Sequence, residues 1–223
     1  MQENYHWHYF DNDDQIAAAA CLQILNAAER AIADHGKFKL VLAGGTTPEK
    51  LYNLLAQADA DWAKWEIYYG DERCLPHDHQ YRNSVMAGQA LLGKVAIPAA
   101  QIHTMPAEMG GEAAAAFYRP LVAAALPFDM VLLGMGEDGH VASLFPGHEH
   151  DQGELVHAVH NSPKPPPERV SISAKALSAS HEVIFLITGS NKQDAVKRWK
   201  QGEDLPVAAI RPQNPVDIYV VRE

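Results

Sequence analysis

Phe128-Asp129-Met130-Val131-Leu132-Leu133-Gly134-Met135-Gly136-Glu137-Asp138-Gly139-His140-Val141-Ala142-Ser143-Leu144-Phe145-Pro146-Gly147 starts as an apolar run and ends as a glycine-rich turn. A short apolar run bounded by glycine reads as a buried strand, here Phe128 to Leu133, and glycines let backbone and side chains come close to a ligand. The same stretch spells Gly134-x-Gly136-x-x-Gly139, the spacing of a dinucleotide-binding turn. That reading needs the last glycine to open a long helix within a βαβ unit of roughly 30 residues. Pro146-Gly147 interrupts the chain six residues after His140, and His148-Glu149-His150 does not restart a strand. A nicotinamide or flavin site is therefore not expected. What the turn delivers is an Asp-x-His pair, Asp138 and His140, at a strand exit. Two readings stand: His140 is a general base with its own orienting carboxylate, or a structural histidine hydrogen-bonded in a turn.

Outward from this stretch, strands and helices alternate. Asp13 to about His35 is Ala-rich with apolar residues near helical spacing, with Asp13 or Asp14 as cap and Gly36 as stop. Phe38-Lys39-Leu40-Val41-Leu42-Ala43 reads as a buried strand. Gly44-Gly45-Thr46-Thr47-Pro48 then turns into a helix over Glu49 to about Ala58, with threonine at the cap and proline just inside. Trp65-Glu66-Ile67-Tyr68-Tyr69 is a second strand, ending in the charged loop Asp71-Glu72-Arg73. Asn83 to about Leu92 and Gly110 to about Ala125 read as helices. The segment Asn161-Ser162-Pro163-Lys164-Pro165-Pro166-Pro167 is a surface loop. Arg169 to Ser173, Val183 to Thr188 and Ile218 to Val221 read as strands, with a helix from Gly189-Ser190-Asn191-Lys192 to about Lys200. This alternation predicts a single α/β domain over 1–223 with a mostly parallel sheet, whose ligands sit at strand C-termini.

Three further turns carry polar groups. The Gly44-Gly45-Thr46 turn is either a phosphate cradle at a helix N-terminus or simply a well-made cap; no Gly-Lys-Ser/Thr follows, so it is no Walker A loop. Asp71-Glu72-Arg73 is either a solvated charged loop or the source of an anion-binding arginine. Lys192 opens a helix against the dipole, a conflict that a bound anion removes; the alternative is a lysine reaching into solvent. Ser143 lacks the Gly-x-Ser-x-Gly elbow of serine hydrolases. His-x-His pairs at 6/8, 77/79 and 148/150 have no third ligand at zinc-like spacing, so no metal is expected.

Composition narrows the class. Of 223 residues 47% are hydrophobic, enough to bury a full core, and the net charge of −10 argues against nucleic acid as partner while leaving room for an anionic small molecule. Met1-Gln2-Glu3-Asn4-Tyr5-His6 has no basic region leading an apolar core, and no apolar run approaches the roughly 20 residues that span a bilayer. Two cysteines, Cys21 and Cys74, form no disulfide framework, so a reducing cytoplasm is the expected setting, with Cys74 in a packing role.

Taken in order, these four motifs resemble the 6-phosphogluconolactonases of the pentose phosphate pathway, over nearly the whole chain. The most specific piece is Gly136-Glu137-Asp138-Gly139-His140-Val141-Ala142-Ser143-Leu144-Phe145-Pro146-Gly147, supported by Asp71-Glu72-Arg73-Cys74-Leu75-Pro76, Arg169-Val170-Ser171-Ile172-Ser173 and Gly189-Ser190-Asn191-Lys192. The resemblance implies a three-layer α/β/α fold shared with glucosamine-6-phosphate deaminases and ribose-5-phosphate isomerases. It implies hydrolysis of 6-phospho-D-glucono-1,5-lactone without a cofactor, with His140 as general base and Asp138 ordering the turn. Gly44, Gly45, Thr46, Arg73 and Lys192 would hold the phosphate, Arg169 being a further candidate and Arg73 alternatively an oxyanion ligand. Deaminases are the rival: they are similar at Asp-Gly-His but continue Ile-Ala-Phe-Asn-Glu-Pro, where this chain has Val-Ala-Ser-Leu-Phe-Pro, and they carry tyrosine where this chain has Arg73. A catalytically silent sugar-phosphate sensor is a third reading, against which Asp138 and His140 speak. Oligomeric state is not legible in the sequence.

Overall fold

Strands that read as unbroken apolar runs become the centre of a parallel sheet covered on both faces. The computed structural model describes residues 4–150 and 153–222; Met1, Gln2 and Glu3, part of the N-terminal reading above, lie outside the described residues. In chain order the elements are β1 (Tyr5–Phe10), α1 (Asp13–His35), β2 (Phe38–Leu42), α2 (Thr46–Leu55), β3 (Trp65–Tyr69), β4 (Asp71–Arg73), α3 (Asn83–Ala87), α4 (Gly111–Ala125) and β5 (Phe128–Gly134). They continue as β6 (Val156–Val159), β7 (Arg169–Ile172), α5 (Ala174–Ser178), β8 (Ser180–Ile187), α6 (Gln193–Lys200) and β9 (Val216–Val221). A single π turn, Gly88–Leu92, continues α3.

The main sheet has six strands in the order β1-β9-β8-β5-β2-β3, every neighbouring pair parallel, with helices on both sides. From β2 the chain steps outward to β3; from β5 it steps the other way, to β8 and then β9. The directions diverge between β2 and β5, which pair at Leu40 with Met130 and Val41 with Val131. Loops leaving such a divergence part from each other and open a crevice at the strand C-termini. The fold thus fixes where a site can be.

Several expectations are corrected. Asp71-Glu72-Arg73 is not a loop but β4, which joins β7 and β6 in a separate three-stranded antiparallel sheet. Pairing with β7 outweighs the low strand preference of three charged residues. Helix α1 is capped neither by Asp13 nor by Asp14 but by Asn12, whose side chain accepts from the Gln15 N–H at 3.0 Å. The 23-residue α1 holds an 18-residue window of mean hydropathy 1.3, enough by length and composition to cross a membrane, although its apolar residues form no unbroken run of that length. Here Ile16, Ala20, Ile24, Ala27 and Ala28 of that helix are buried in the protein core. Helix α2 starts at Thr46 with Gly45 as its cap, so no threonine side chain caps it.

Candidate active site

Gly44 and Gly45 after β2, Gly70 after β3 and Gly134 at the end of β5 bring three strand ends to one cleft of about 220 Å³. Its wall also includes Asp71, Arg73, Asn83, Gly136, His140, Arg169 and Lys192. Among the residues expected at the site, Thr46 is exposed at the start of α2 and its side chain does not line this cleft, and Asp138 stands behind His140.

The turn after β5 folds back on itself. The Gly136 N–H donates to the His140 carbonyl at 2.8 Å and the Gly139 N–H to the Gly136 carbonyl at 3.0 Å. This brings Asp138 Oδ1 to 2.5 Å from His140 Nδ1 and 3.2 Å from the His140 N–H. A Cβ on Gly136 would lie 2.0 Å from His140 Nδ1 and 2.6 Å from Asp138 Oδ1, so the pair exists in this pose only because residue 136 has no side chain. An ionised carboxylate can only accept, which places the imidazole proton on Nδ1 and leaves the Nε2 lone pair for the cleft. The Phe145 ring, 4.6 Å from the imidazole between centroids, covers it further. Burial lowers the His140 pKa, Asp138 opposes that shift, and the charge of Lys164 adds to it. For Asp138, burial acts to raise the pKa, but His140 outweighs it and the carboxyl ends below its ordinary value.

Cations line the same cleft. Lys192 sits in a 3-10 turn, Ser190–Lys192, directly before α6, rather than inside its first turn. Burial lowers its pKa, with Glu137 opposing and Lys164 contributing. Arg73 on β4 is directly opposite Arg169 on β7. Like charges opposed across strands repel, and an anion in the cleft would relieve them. Arg73 Nη1 donates to the Tyr81 carbonyl at 2.5 Å, while its Nε is buried without a hydrogen-bond partner. Three strand ends, a carboxylate-oriented histidine and a cationic wall therefore share one crevice.

A sequence model of glucosamine-6-phosphate isomerases/6-phosphogluconolactonase matches residues 11–219. The chain belongs to this family. Within it, the 6-phosphogluconolactonase of Mycobacterium tuberculosis is 39% identical over 211 residues, covering 87% of this chain and 85% of that protein. The 6-phosphogluconolactonase of Streptomyces coelicolor is 38% identical over 201 residues, covering 81% and 77%. The crystal structure of 6-phosphogluconolactonase from Thermotoga maritima aligns with a TM-score of 0.90 at 28% identity, covering 97% of this chain and 99% of that one. A monomeric glucosamine-6-phosphate deaminase also aligns, with a TM-score of 0.83 at 19% identity, a likeness of fold alone.

In this family member, residues that sequence reasoning passed over complete the cleft. Asp71 is buried; its Oδ2 accepts from Ser143 Oγ at 2.6 Å and its Oδ1 from Asn83 Nδ2 at 3.0 Å. Gly44 owes its identity to the same group, since a Cβ there would meet Asn83 Oδ1 at 2.1 Å. Glu72 points the other way, as alternation along a strand requires, and accepts from the N–H groups of Asn83 and Ser84 at 2.8 Å each. Had Asp71–Arg73 been read as a strand, that alternation would have put Asp71 and Arg73 on one face and Glu72 on the other. Arg169 is mostly spent on structure: it donates to the carbonyls of Lys164, Pro165 and Pro166 at 3.0–3.1 Å, with only Nη1 turned to Ser143 Oγ at 3.5 Å. Burial pushes the Cys74 thiol up to about 11, in keeping with a packing role. Among the described residues, no group of three or more His, Cys, Asp or Glu is placed to hold a metal ion.

Proposed function

We propose that this chain hydrolyses 6-phospho-D-glucono-1,5-lactone to 6-phospho-D-gluconate, with His140 as the general base. The observation that carries the reading is the 2.5 Å contact between Asp138 and His140 Nδ1, which presents a neutral Nε2 to a cleft that also holds Lys192 and the Gly44-Gly45 turn. Water attacks the C1 carbonyl as Nε2 takes its proton. The tetrahedral intermediate then collapses, the bond from C1 to the ring oxygen breaks, and that oxygen takes the proton back from Nε2. The phosphate docks on Lys192 and the free N–H groups that start α2, among them that of Thr46. Arg73, on the cleft wall, offers its guanidinium either to that phosphate or to the oxyanion on C1. Arg169 acts mainly by shaping the wall.

The turn itself weighs against deamination. The residues that follow His140, Val141 to Phe145, supply no carboxylate to a ring-opening relay, and the second carboxylate of the cleft, Asp71, is engaged by Ser143 Oγ and Asn83 Nδ2. Acid release from freshly made 6-phosphogluconolactone, corrected for spontaneous opening, set against ammonia release from glucosamine 6-phosphate, tests the reading. Ammonia without lactone hydrolysis would overturn it.

Two expectations follow from the electrostatics. The base must be neutral, and burial holds the His140 pKa below the ordinary histidine value of about 6.5. The acid limb of kcat/KM should therefore fall below about pH 6.5, with full activity at pH 7. A limb centred above that value would remove His140 as the titrating base. Lys192→Ala should raise KM for the phosphorylated lactone about tenfold with a smaller change in kcat, as loss of one charge-assisted contact predicts. Equal loss on unphosphorylated gluconolactone would contradict a phosphate-binding role.

A further inference from the structure

Glu137, in the same turn as the base, is held from two loops at once. Its Oε1 accepts from Lys164 Nζ at 2.8 Å and its Oε2 from Asn191 Nδ2 at 3.1 Å. Lys192, next to Asn191 and lining the cleft, acts on Glu137 electrostatically as well. Lys164 does not wave freely from its loop. Its carbonyl accepts from Arg169 Nη2 at 3.0 Å and from Ser162 Oγ at 2.9 Å, and the Ser162 N–H returns to the Pro167 carbonyl at 2.9 Å. Arg169 is only 5% exposed, so a buried guanidinium builds the proline loop that carries Lys164.

Lys164 thus pairs directly with Glu137, whose other oxygen is held by Asn191, the neighbour of the cleft residue Lys192. The Lys164 charge is felt by both Lys192 and His140, which lowers the pKa of each. A phosphate dianion brings more charge and more acceptor oxygens than one carboxylate. The Lys164–Glu137 pair is partly exposed, at 32% and 53% of the side chains, and ion pairs in water are cheap to exchange.

We propose that Lys164 is a second phosphate ligand, that Glu137 occupies it until the substrate phosphate takes its place, and that the two together set the preference for phosphorylated lactones. The proposal rests on the reading of the cleft as a phospholactone site. Its signature is a pair of opposite effects. In Lys164→Ala the Kd for inorganic phosphate, read by calorimetry or phosphorus NMR at low salt, should rise about tenfold. The ratio of kcat/KM on phosphorylated over unphosphorylated lactone should fall by a similar factor, and Lys164→Arg should restore most of both. In Glu137→Gln the same Kd should fall about threefold and the ratio should rise, since a competing and repelling charge is gone. A contact that only tethers the proline loop to the turn would be loosened alike by both substitutions. Shifts of Kd in the same direction, or no shift in either variant, would overturn the proposal. The phosphate titration needs no turnover, so it stands apart from the functional reading: a wild-type chain that fails to open the phospholactone would sink that reading, and the sign of the two Kd shifts would still decide the latch.

Discussion

Replacing His140 with alanine should cut kcat for 6-phosphogluconolactone by about 10²–10⁴-fold while leaving the fold in place, the range general acid–base catalysis usually supplies. The imidazole makes one side-chain hydrogen bond, to Asp138, and one ring contact, to Phe145. Neither ties it to the sheet. The turn is held instead by main-chain bonds, from the Gly136 N–H to the residue 140 carbonyl and from the Gly139 N–H to the Gly136 carbonyl, which alanine keeps. Asp138 is left without its ring partner, yet its side chain is 31% exposed and water can solvate it. Residual activity should come from phosphate docking and oxyanion stabilisation, so KM should move much less than kcat. His140→Gln gives the sharper comparison, since an amide can hydrogen-bond with Asp138 but cannot take a proton from water. Initial rates above the spontaneous background, alongside thermal melts of both variants, make the measurement. Near-normal turnover in a folded His140→Ala protein would end the assignment of this residue as base.

Much of this was legible in the sequence because the decisive residues are neighbours along the chain. Gly136, Asp138 and His140 lie within one turn, and local spacing is what a sequence displays best. The central strands were legible for a related reason: β2, β5 and β8 are buried along most of their length and read as apolar runs. Edge strand β1 hid because Tyr5-His6-Trp7-His8-Tyr9-Phe10 is half exposed and alternates aromatic with histidine. The antiparallel sheet hid for the opposite reason, since β4 is three charged residues whose strand state depends on β7, about a hundred positions later. The same distance in sequence hid Asp71. Its partner Ser143 stands 72 residues away, and nothing local to either announces the 2.6 Å bond. Serine there first read only as a missing hydrolase elbow. In the fold it is the hydroxyl that donates to the buried carboxylate sharing the cleft with His140.

Gly136→Ala should be nearly as damaging as loss of the histidine itself, about a hundredfold in kcat, through a methyl group that touches no substrate. The added Cβ would stand 2.0 Å from His140 Nδ1, 2.1 Å from Cε1 and 2.6 Å from Asp138 Oδ1. All three are side-chain atoms of the Asp138–His140 pair, so relief comes from swinging the imidazole or the carboxylate away, and the bond between them breaks in either case. Gly44, Gly45 and Lys192, on other elements, keep their places, so KM for the phosphorylated lactone should change little. Stability should fall by about 1–3 kcal/mol, as for overpacking at other tight sites. The cycle with His140→Ala separates this mechanism from general damage. If the methyl acts by displacing the imidazole, it has little left to displace once the ring is gone, and Gly136→Ala should cost almost nothing more in that background. Losses that multiply would mean that residue 136 serves the reaction by some route other than clearance for its base.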